Sequence, residues 1–239
     1  MVEFVGLPGV GKSHATWLVA ARLGAAGTPV QSAGLRVNHE LNAWRRVLAK
    51  SAYCVREALS RPRAALRVWR AVTRTRQRRH VDTVRLWYNW LFLSGLLRRA
   101  RARRVVELLD EGIFQLVWSI GLTGGERTIR DCSYALLAGP TVTVPLPDVV
   151  VLVQAPLEVV QMRLASRGSR AGRVDRLGDD ERHAALVRGV DLLAEVLSEE
   201  VGLIGGVAGP ILRRVRNATP EELEADVEVL VDELAALAA

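Results

Sequence analysis

Residues 6–13 carry the clearest chemical pattern in this 239-residue chain. They read GLPGVGKS and match the phosphate-binding loop pattern G-x-x-x-x-G-K-[ST] (the P-loop) without a mismatch. Glycines allow close backbone approach, so the N–H groups of residues 9–13 can point inward and surround a β-phosphate. Lys12 would bridge β- and γ-phosphate oxygens, and the Ser13 hydroxyl would ligate Mg²⁺. The residues predicted to contact the nucleotide here are Gly6, Pro8, Gly9, Val10, Gly11, Lys12, Ser13 and His14.

The segments on either side of this loop have the character that a P-loop requires. Residues 2–5 are mostly β-branched and aromatic, which is typical of a strand. Residues 15–23 are apolar at helical spacing and are followed by Gly24. A helix that starts at the loop would direct its positive N-terminal end at the phosphates. The alternative is a chance glycine-rich turn, and the flanking strand and helix favour the P-loop.

A second acidic motif follows a predicted strand at residues 105–109. The strand ends in Asp110, Glu111 and Gly112. Asp110 would reach the Mg²⁺ shell, through water, because Mg²⁺ keeps several waters and takes one or two carboxylates. Glu111 is the candidate general base or water-orienting group. The alternative for both residues is a solvated acidic turn.

A row of arginines begins within a helix predicted to start at Pro156 and to end at Gly168, and it continues beyond that helix. Its members are Arg163, Arg167, Arg170, Arg173 and Arg176. Spacings of four and three place side chains on one face of a helix, where like charges repel unless an anion lies among them. We therefore expect this row, within residues 163–180, to bind the nucleotide phosphates. The alternative is a solvated basic face.

The remaining elements predict a single α/β domain covering residues 1–239. A second strand lies within residues 27–33, an almost continuously apolar strand at 148–153, and a last strand at 211–216. Helices are expected at residues 113–120, 126–137 and 181–201, and a capped helix opens at Thr219. Five strands with helices between them predict a parallel three-layer fold. The residues after the second strand are ligand-edge candidates or plain surface loop, namely Arg36, Asn38, His39 and Glu40.

Residues 41–104 form a basic, mostly helical insertion. They contain 18 of the 33 Lys and Arg residues and two of the 26 acidic residues. We expect helices at 41–59, 63–79 and 81–101, with four of the six Trp residues spread through them. Any aromatic binding surface is expected in this segment.

The sequence predicts a cytoplasmic protein. The first strand leaves no room for a signal peptide, and no apolar run reaches the roughly 18 residues needed to span a bilayer. Cys54 and Cys132 form no metal or redox motif, so reduced, buried thiols are expected.

Taken together, these motifs resemble the thymidylate kinase and deoxynucleoside kinase branch of the P-loop kinases. Residues 147–158 with Arg163 and Arg167 look like that family's fourth strand and the helix into its mobile lid. The resemblance covers roughly residues 1–36 and 105–237. It implies a sheet of order 2-3-1-4-5, transfer of the ATP γ-phosphoryl to a small acceptor, and a homodimer. It also implies that the lid arginines close over the transferring phosphate and that Asn217 lies near the adenine.

Two departures from the family concern the acceptor. The family usually ends its third strand in Asp-Arg or Glu-Arg-Ser, where this chain has Asp110, Glu111 and Gly112. A carboxylate in place of the guanidinium argues against a standard nucleoside monophosphate, dTMP included, and suits an acceptor with a hydroxyl or an amine. No family-like nucleoside-recognition run follows the second strand, so the insertion 41–104 is expected to build the acceptor pocket.

The function predicted is that of a Mg-ATP-dependent small-molecule kinase. The catalytic residues would be Lys12, Asp110, Glu111, Arg163 and Arg167, with Ser13 and Asp110 holding the metal. One alternative is a polynucleotide 5′-kinase, because arginines and Trp rings of the insertion could bind phosphates and stack on bases.

Another alternative is a regulatory ATPase with a protein partner or an acidic membrane surface. For that function an interfacial helix would include Trp87, Trp90, Leu91, Phe92, Leu96 and Leu97. The same residues also fit a buried core helix.

Overall fold

The sheet is built as predicted. The computed structural model describes residues 1–77, 79–103, 105–124, 136, 144–167, 174, 177–198 and 209–238. Within them, five parallel strands form a sheet in the order β2-β3-β1-β4-β5. The strands are β1 (Val2–Val5), β2 (Val30–Gln31), β3 (Val106–Leu109), β4 (Val149–Gln154) and β5 (Ile211–Arg216). The α/β fold class and the strand order are thus confirmed.

The central strands are apolar because helices cover both faces of the sheet. Every residue of β1 is buried, and β4 is buried over most of its length, as expected for parallel strands. β5 is the edge strand and is mostly exposed. In the register of β1 with β3, Glu3 lies opposite Leu109. This pairing brings the loop after β1 and the loop after β3 to the same edge of the sheet.

Helices connect the strands. Outside the insertion they are α1 (Lys12–Ala25), α2 (Ala33–Leu35), α6 (Ile113–Thr123), α7 (Leu157–Ser166), α8 (Asp179–Val196) and α9 (Pro220–Ala238). α1 packs against α9, and α6 packs against α8. A π-helical turn, Arg36–Glu40, stands where ligand-edge candidates or plain loop were predicted. The predicted helix at 126–137 lies outside the described residues except for residue 136.

The insertion forms three packed helices, α3 (Ala43–Ser60), α4 (Pro62–Arg74) and α5 (His80–Arg101). The Asn42 side chain caps α3 by accepting a hydrogen bond from the Arg45 N–H at 3.1 Å. Pro62 starts α4, where its missing N–H costs nothing. α4 ends five residues earlier than predicted, because Arg76 adopts a positive φ of 49°.

α5 is a core helix and not an interfacial one. It packs against α3, α4 and α6. Most of the residues considered for a membrane surface are buried, namely Trp90, Leu91, Phe92, Leu96 and Leu97. No helix in the described part of the chain is long and apolar enough to cross a membrane.

The Trp side chains of the insertion mostly serve packing. Trp69 and Trp87 form an edge-to-face pair with centroids 5.4 Å apart, and the Trp87 Nε1–H donates to the Ala65 carbonyl. Trp90 is 1% exposed, whereas Trp44 is 59% exposed. The expected aromatic binding surface therefore does not form from these four rings, since three of them are packed against other helices or each other.

A buried ion pair ties α3 to α5. The Glu57 carboxylate, 4% exposed, accepts hydrogen bonds from Ser94 Oγ at 2.8 Å and from Arg98 Nε at 3.0 Å. Removing one partner of a buried pair leaves the other charge without compensation, and this costs more than removing both.

We therefore expect Arg98→Met to lower the free energy of unfolding by roughly 3–5 kcal/mol, because it leaves the buried Glu57 charge without its partner. The exposed neighbour Arg99 gives the matched control, Arg99→Met, which should change stability little. Adding Glu57→Met to Arg98→Met should recover much of the loss. Urea unfolding followed by circular dichroism measures all three variants. Equal losses in the two single variants would contradict the role of this pair.

Candidate active site

The P-loop follows β1 directly and leads into α1. Gly11 caps α1 with a left-handed φ of 95°, a conformation that favours glycine. A Cβ there would also lie 2.2 Å from Asn217 Nδ2. Asn217 is buried and its amide donates to the Val10 carbonyl at 2.7 Å. The residue predicted to lie near adenine therefore supports the P-loop backbone in this structure.

The loop presents donors to its concave side. The N–H groups of Lys12, Ser13 and His14 begin α1, where a helix offers no acceptor, and none is found among the described residues. The Lys12 ammonium donates to the Gly6 and Leu7 carbonyls at 2.9 and 3.0 Å. Burial lowers the pKa of Lys12 to about 8, although the charges of Glu111 and Asp110 act to raise it. This arrangement suits an anion that would compensate the ammonium.

Ser13 and Asp110 meet at the loop. The Ser13 hydroxyl donates to Asp110 Oδ2 at 3.2 Å, and Asp110 is 3% exposed. Hydroxyl and carboxylate oxygens are ligands that Mg²⁺ takes, so this pair fits the predicted metal position. No cluster of three or more His, Cys, Asp or Glu side chains occurs within the described ranges. The ion would therefore depend on phosphate oxygens and water for its other ligands.

Glu111 lies one residue beyond Asp110 and is exposed. Its charge acts on Lys12 and also on Lys50 of α3. Glu111 is thus placed between the P-loop and α3 of the insertion.

The lid arginines are only partly described. Arg163 of α7 donates to the carbonyls of Val10 at 3.4 Å and Ala218 at 3.5 Å, so it lies against the P-loop. α7 ends at Ser166, and Arg167 is exposed with extended backbone angles. Arg167 thus caps the helix, next to the predicted end at Gly168, and its charge acts on Lys12. Arg170, Arg173 and Arg176 lie outside the described residues.

A buried polar network beneath the P-loop was missed by the sequence analysis. Gln115 Oε1 accepts the Gly6 N–H at 3.0 Å, and Glu3 Oε1 accepts the Gln115 N–H at 2.8 Å. Glu3 is 0% exposed, and its Oε2 has no hydrogen-bond partner in the described structure. Burial raises the pKa of Glu3 to about 8, despite the N–H groups at the start of α6. The sequence signal was a Glu within an apolar strand and a Gln within an apolar helix.

Glu3 also limits which residue can stand at position 112, in the loop after β3. A Cβ on Gly112 would lie 2.3 Å from the Glu3 carboxyl carbon. The space that a side chain at position 112 would need is occupied by the carboxyl group. Glycine at position 112 therefore leaves room for the Glu3 carboxyl group, which a larger residue would force to move.

Lys50 is a further residue that the sequence analysis did not select. It is half-buried on α3, and its ammonium lies 4.9 Å from the Phe92 ring centroid. The signal was available, because Lys12 and Lys50 are the only two lysines in the chain.

The two clefts described for this structure do not coincide with the candidate site. A cleft of about 810 Å³ lies at the opposite edge of the sheet, between residues 26–29, the end of α5 and the end of α9. A second cleft, of about 820 Å³, is an open groove on the outer face of α3. Neither includes a P-loop residue, so the assignment of the site rests on its chemical groups.

Comparison with known proteins supports the fold. No family model and no curated protein matches the chain. A solved structure of deoxyadenosine kinase from M. mycoides with the products dCMP and a flexible dCDP bound is 12% identical and superposes with a TM-score of 0.56. Another structure of that enzyme, with bound dATP, is 13% identical with a TM-score of 0.55. Each comparison covers 98% of both chains. At these identities the likeness shows a shared fold.

The raised pKa of Glu3 predicts a pH dependence of stability. Between pH 4.5, the ordinary pKa of a glutamate, and about pH 8, the folded state keeps a proton on Glu3 that the unfolded state has released. The unfolding free energy should therefore fall as pH rises through this window, and reach its full value only below it. Glu3→Gln replaces the carboxyl by a neutral group of the same shape and should remove this slope.

Above about pH 8 we expect Glu3→Gln to be more stable than the natural chain by roughly 1–3 kcal/mol, with the difference vanishing near the lower end of the window. Urea unfolding across pH measures it. Glu228→Gln, at an exposed position of α9, is the matched control and should leave the slope unchanged. A slope that persists in Glu3→Gln would show that another group causes it.

Proposed function

We propose that the protein is a Mg-ATP-dependent phosphotransferase that moves the γ-phosphoryl group of ATP to a small acceptor of nucleoside or nucleotide type. The observation that carries this proposal is the contact of Ser13 with Asp110 at the P-loop. The similar solved structures are kinases, and one of them holds dATP, which supports a nucleotide as the donor.

The P-loop residues would bind and orient the triphosphate. Lys12 would exchange the Gly6 and Leu7 carbonyls for phosphate oxygens, and the free N–H groups at the start of α1 would surround them. Ser13 and Asp110 would hold Mg²⁺, which neutralises charge on the phosphates. Arg163, already against the loop, would add a guanidinium to the phosphate side. Positioning and electrostatic stabilisation supply most of the rate enhancement in such transfers.

The transfer exchanges one P–O bond for another. The acceptor hydroxyl oxygen forms a bond to the γ-phosphorus while the bond from that phosphorus to the β,γ-bridging oxygen breaks, and ADP leaves with the bond's electrons. Glu111 would accept the hydroxyl proton late in the step. Its exposed position beside Asp110 allows an acceptor to reach it.

The other expectations remain predictions of lower support. The aromatic argument for a polynucleotide acceptor is weakened, because three of the four Trp rings of the insertion pack against other helices or against each other. The argument for a regulatory ATPase at a membrane surface is also weakened, because most residues of the proposed interfacial helix are buried. A cytoplasmic location and a homodimer stay predictions.

The test of the proposed function is an acceptor screen with γ-labelled ATP and Mg²⁺. It should include deoxynucleosides, nucleoside monophosphates, sugars, amines and oligonucleotides. We expect label on a small hydroxyl compound, and a loss on the order of a hundredfold or more in Lys12→Ala and Asp110→Ala. Circular dichroism should show that both variants remain folded. Full transfer by Lys12→Ala would exclude the proposed role of the P-loop.

The lowered pKa of Lys12 predicts that nucleotide binding depends on pH. As pH rises through about 8, free Lys12 loses its proton, and the neutral amine no longer attracts phosphate. Binding above this pH must therefore take up a proton, and the affinity for Mg-ATP should fall by about tenfold per pH unit at most. Calorimetry in buffers of different ionisation enthalpy measures the proton uptake. The same titration of Lys12→Met should show weaker binding without this proton uptake; an equal uptake in that variant would assign it to another group.

A further inference from the structure

One face of α3 is turned toward the body of the protein. Arg46, Lys50, Cys54 and Glu57 are spaced by four, four and three residues, so they lie on the same side of the helix. Cys54 and Glu57 are buried against α5. Arg46, at the other end, donates to the carbonyl of Asn38 at 3.0 Å, in the turn that follows β2. Lys50 lies between these contacts and is therefore directed inward.

The Lys50 ammonium lies near the end of β3. Its strongest electrostatic attraction is to Glu111, and Asp110 also attracts it. The ammonium lies 4.9 Å from the Phe92 ring centroid, an arrangement that stabilises its charged form. Within the described part of the chain Lys50 makes no ion pair. It is thus a half-buried cation, attracted to the site but not paired there.

Among the residues that the structure describes, α3 brings two cations, Lys50 and Arg46, to this side of the site. In the proposed function Asp110 would be committed to the metal; the Arg46 charge also acts on Lys50, so the two cations lie close enough to repel each other. Arg46 uses one N–H group on Asn38, and within the described residues its guanidinium makes no other hydrogen bond. An anion placed between these side chains would gain charge-assisted hydrogen bonds, whereas an ammonium group would be repelled.

We propose that Lys50 and Arg46 form an anion-binding subsite on the acceptor side, so that the acceptor carries a phosphate or carboxylate besides the hydroxyl that is phosphorylated. This inference rests on the proposed function and names its substrate class. It revises two expectations that were drawn from the missing arginine at the end of β3, because Lys50 and Arg46 of α3 would supply the positive charge instead. Phosphorylated acceptors regain support, and amine acceptors lose it.

The two lysines make a direct test possible. With ¹³C-labelled lysine, the full chain gives two sets of lysine side-chain resonances, assigned by Lys50→Arg. The protein is first saturated with Mg²⁺ and the non-transferable analogue AMP-PNP, so that the P-loop is filled. Inorganic phosphate, acetate and methylammonium are then titrated separately, with sodium chloride at matched ionic strength as the reference.

We expect the nucleotide to move the Lys12 resonances, and phosphate or acetate then to move those of Lys50 in a saturable way. Arg46→Met should weaken this anion binding by about tenfold, because one of the two cations is lost. Arg56→Met, at an exposed position on the outer face of α3, should leave it unchanged. A response to phosphate alone indicates a phosphorylated acceptor, and an equal or stronger response to acetate indicates a carboxylate.

Three results would overturn the subsite: Lys50 shifts no larger than those with chloride, equal effects of Arg46→Met and Arg56→Met, or saturable binding of methylammonium. Failure of the proposed function is seen separately, because Lys12 would then not respond to AMP-PNP. In that case phosphate binding at the empty P-loop would appear on Lys12, and the Lys50 resonances would still report on the subsite.

Discussion

The parallel pairing of β1 with β3 is the constraint on which the site depends. It places the loops after the two strands side by side, and so brings Ser13 to Asp110 across 97 positions of sequence. Other groups fix the same edge of the sheet, since Asn217 supports the P-loop on one side and Gln115 supports it on another. The functional groups are thus held by strands and helix ends, which position side chains more precisely than long loops do.

Much of the fold could be predicted because its signals are local. Segments of about ten residues are enough to identify the P-loop, the apolar strands and the capped last helix. The connection rules for parallel sheets then predict how these elements are joined. Asp110 could be found because a strand end follows directly from the apolar pattern. The network of Glu3 and Gln115 could not be found in this way, because it joins residues 112 positions apart. Its only local trace is a polar residue inside each of two apolar segments.

The insertion illustrates a different limit. Its composition shows many arginines and several Trp residues, but composition does not say which face of a helix each one occupies. In the structure Trp90 is buried and the half-buried rings of Trp69 and Trp87 pack on each other, while Trp44 and many of the arginines face solvent. Lys50 is directed inward with Arg46, next to the loop after β3. A basic segment that looks like a nucleic-acid surface in sequence therefore uses much of its apolar and aromatic surface to pack its helices together and, through α5, against α6.

The close approach of Glu3 to Gly112 constrains how this protein can evolve. Any side chain at position 112 would collide with the carboxyl group on the neighbouring strand, so the two positions are subject to epistasis although no motif contains both. A larger residue at position 112 would have to displace the Glu3 carboxyl group or be combined with a shorter residue at position 3. Steric exclusion thus couples the residues that can stand at the end of β3 to the residue present on β1.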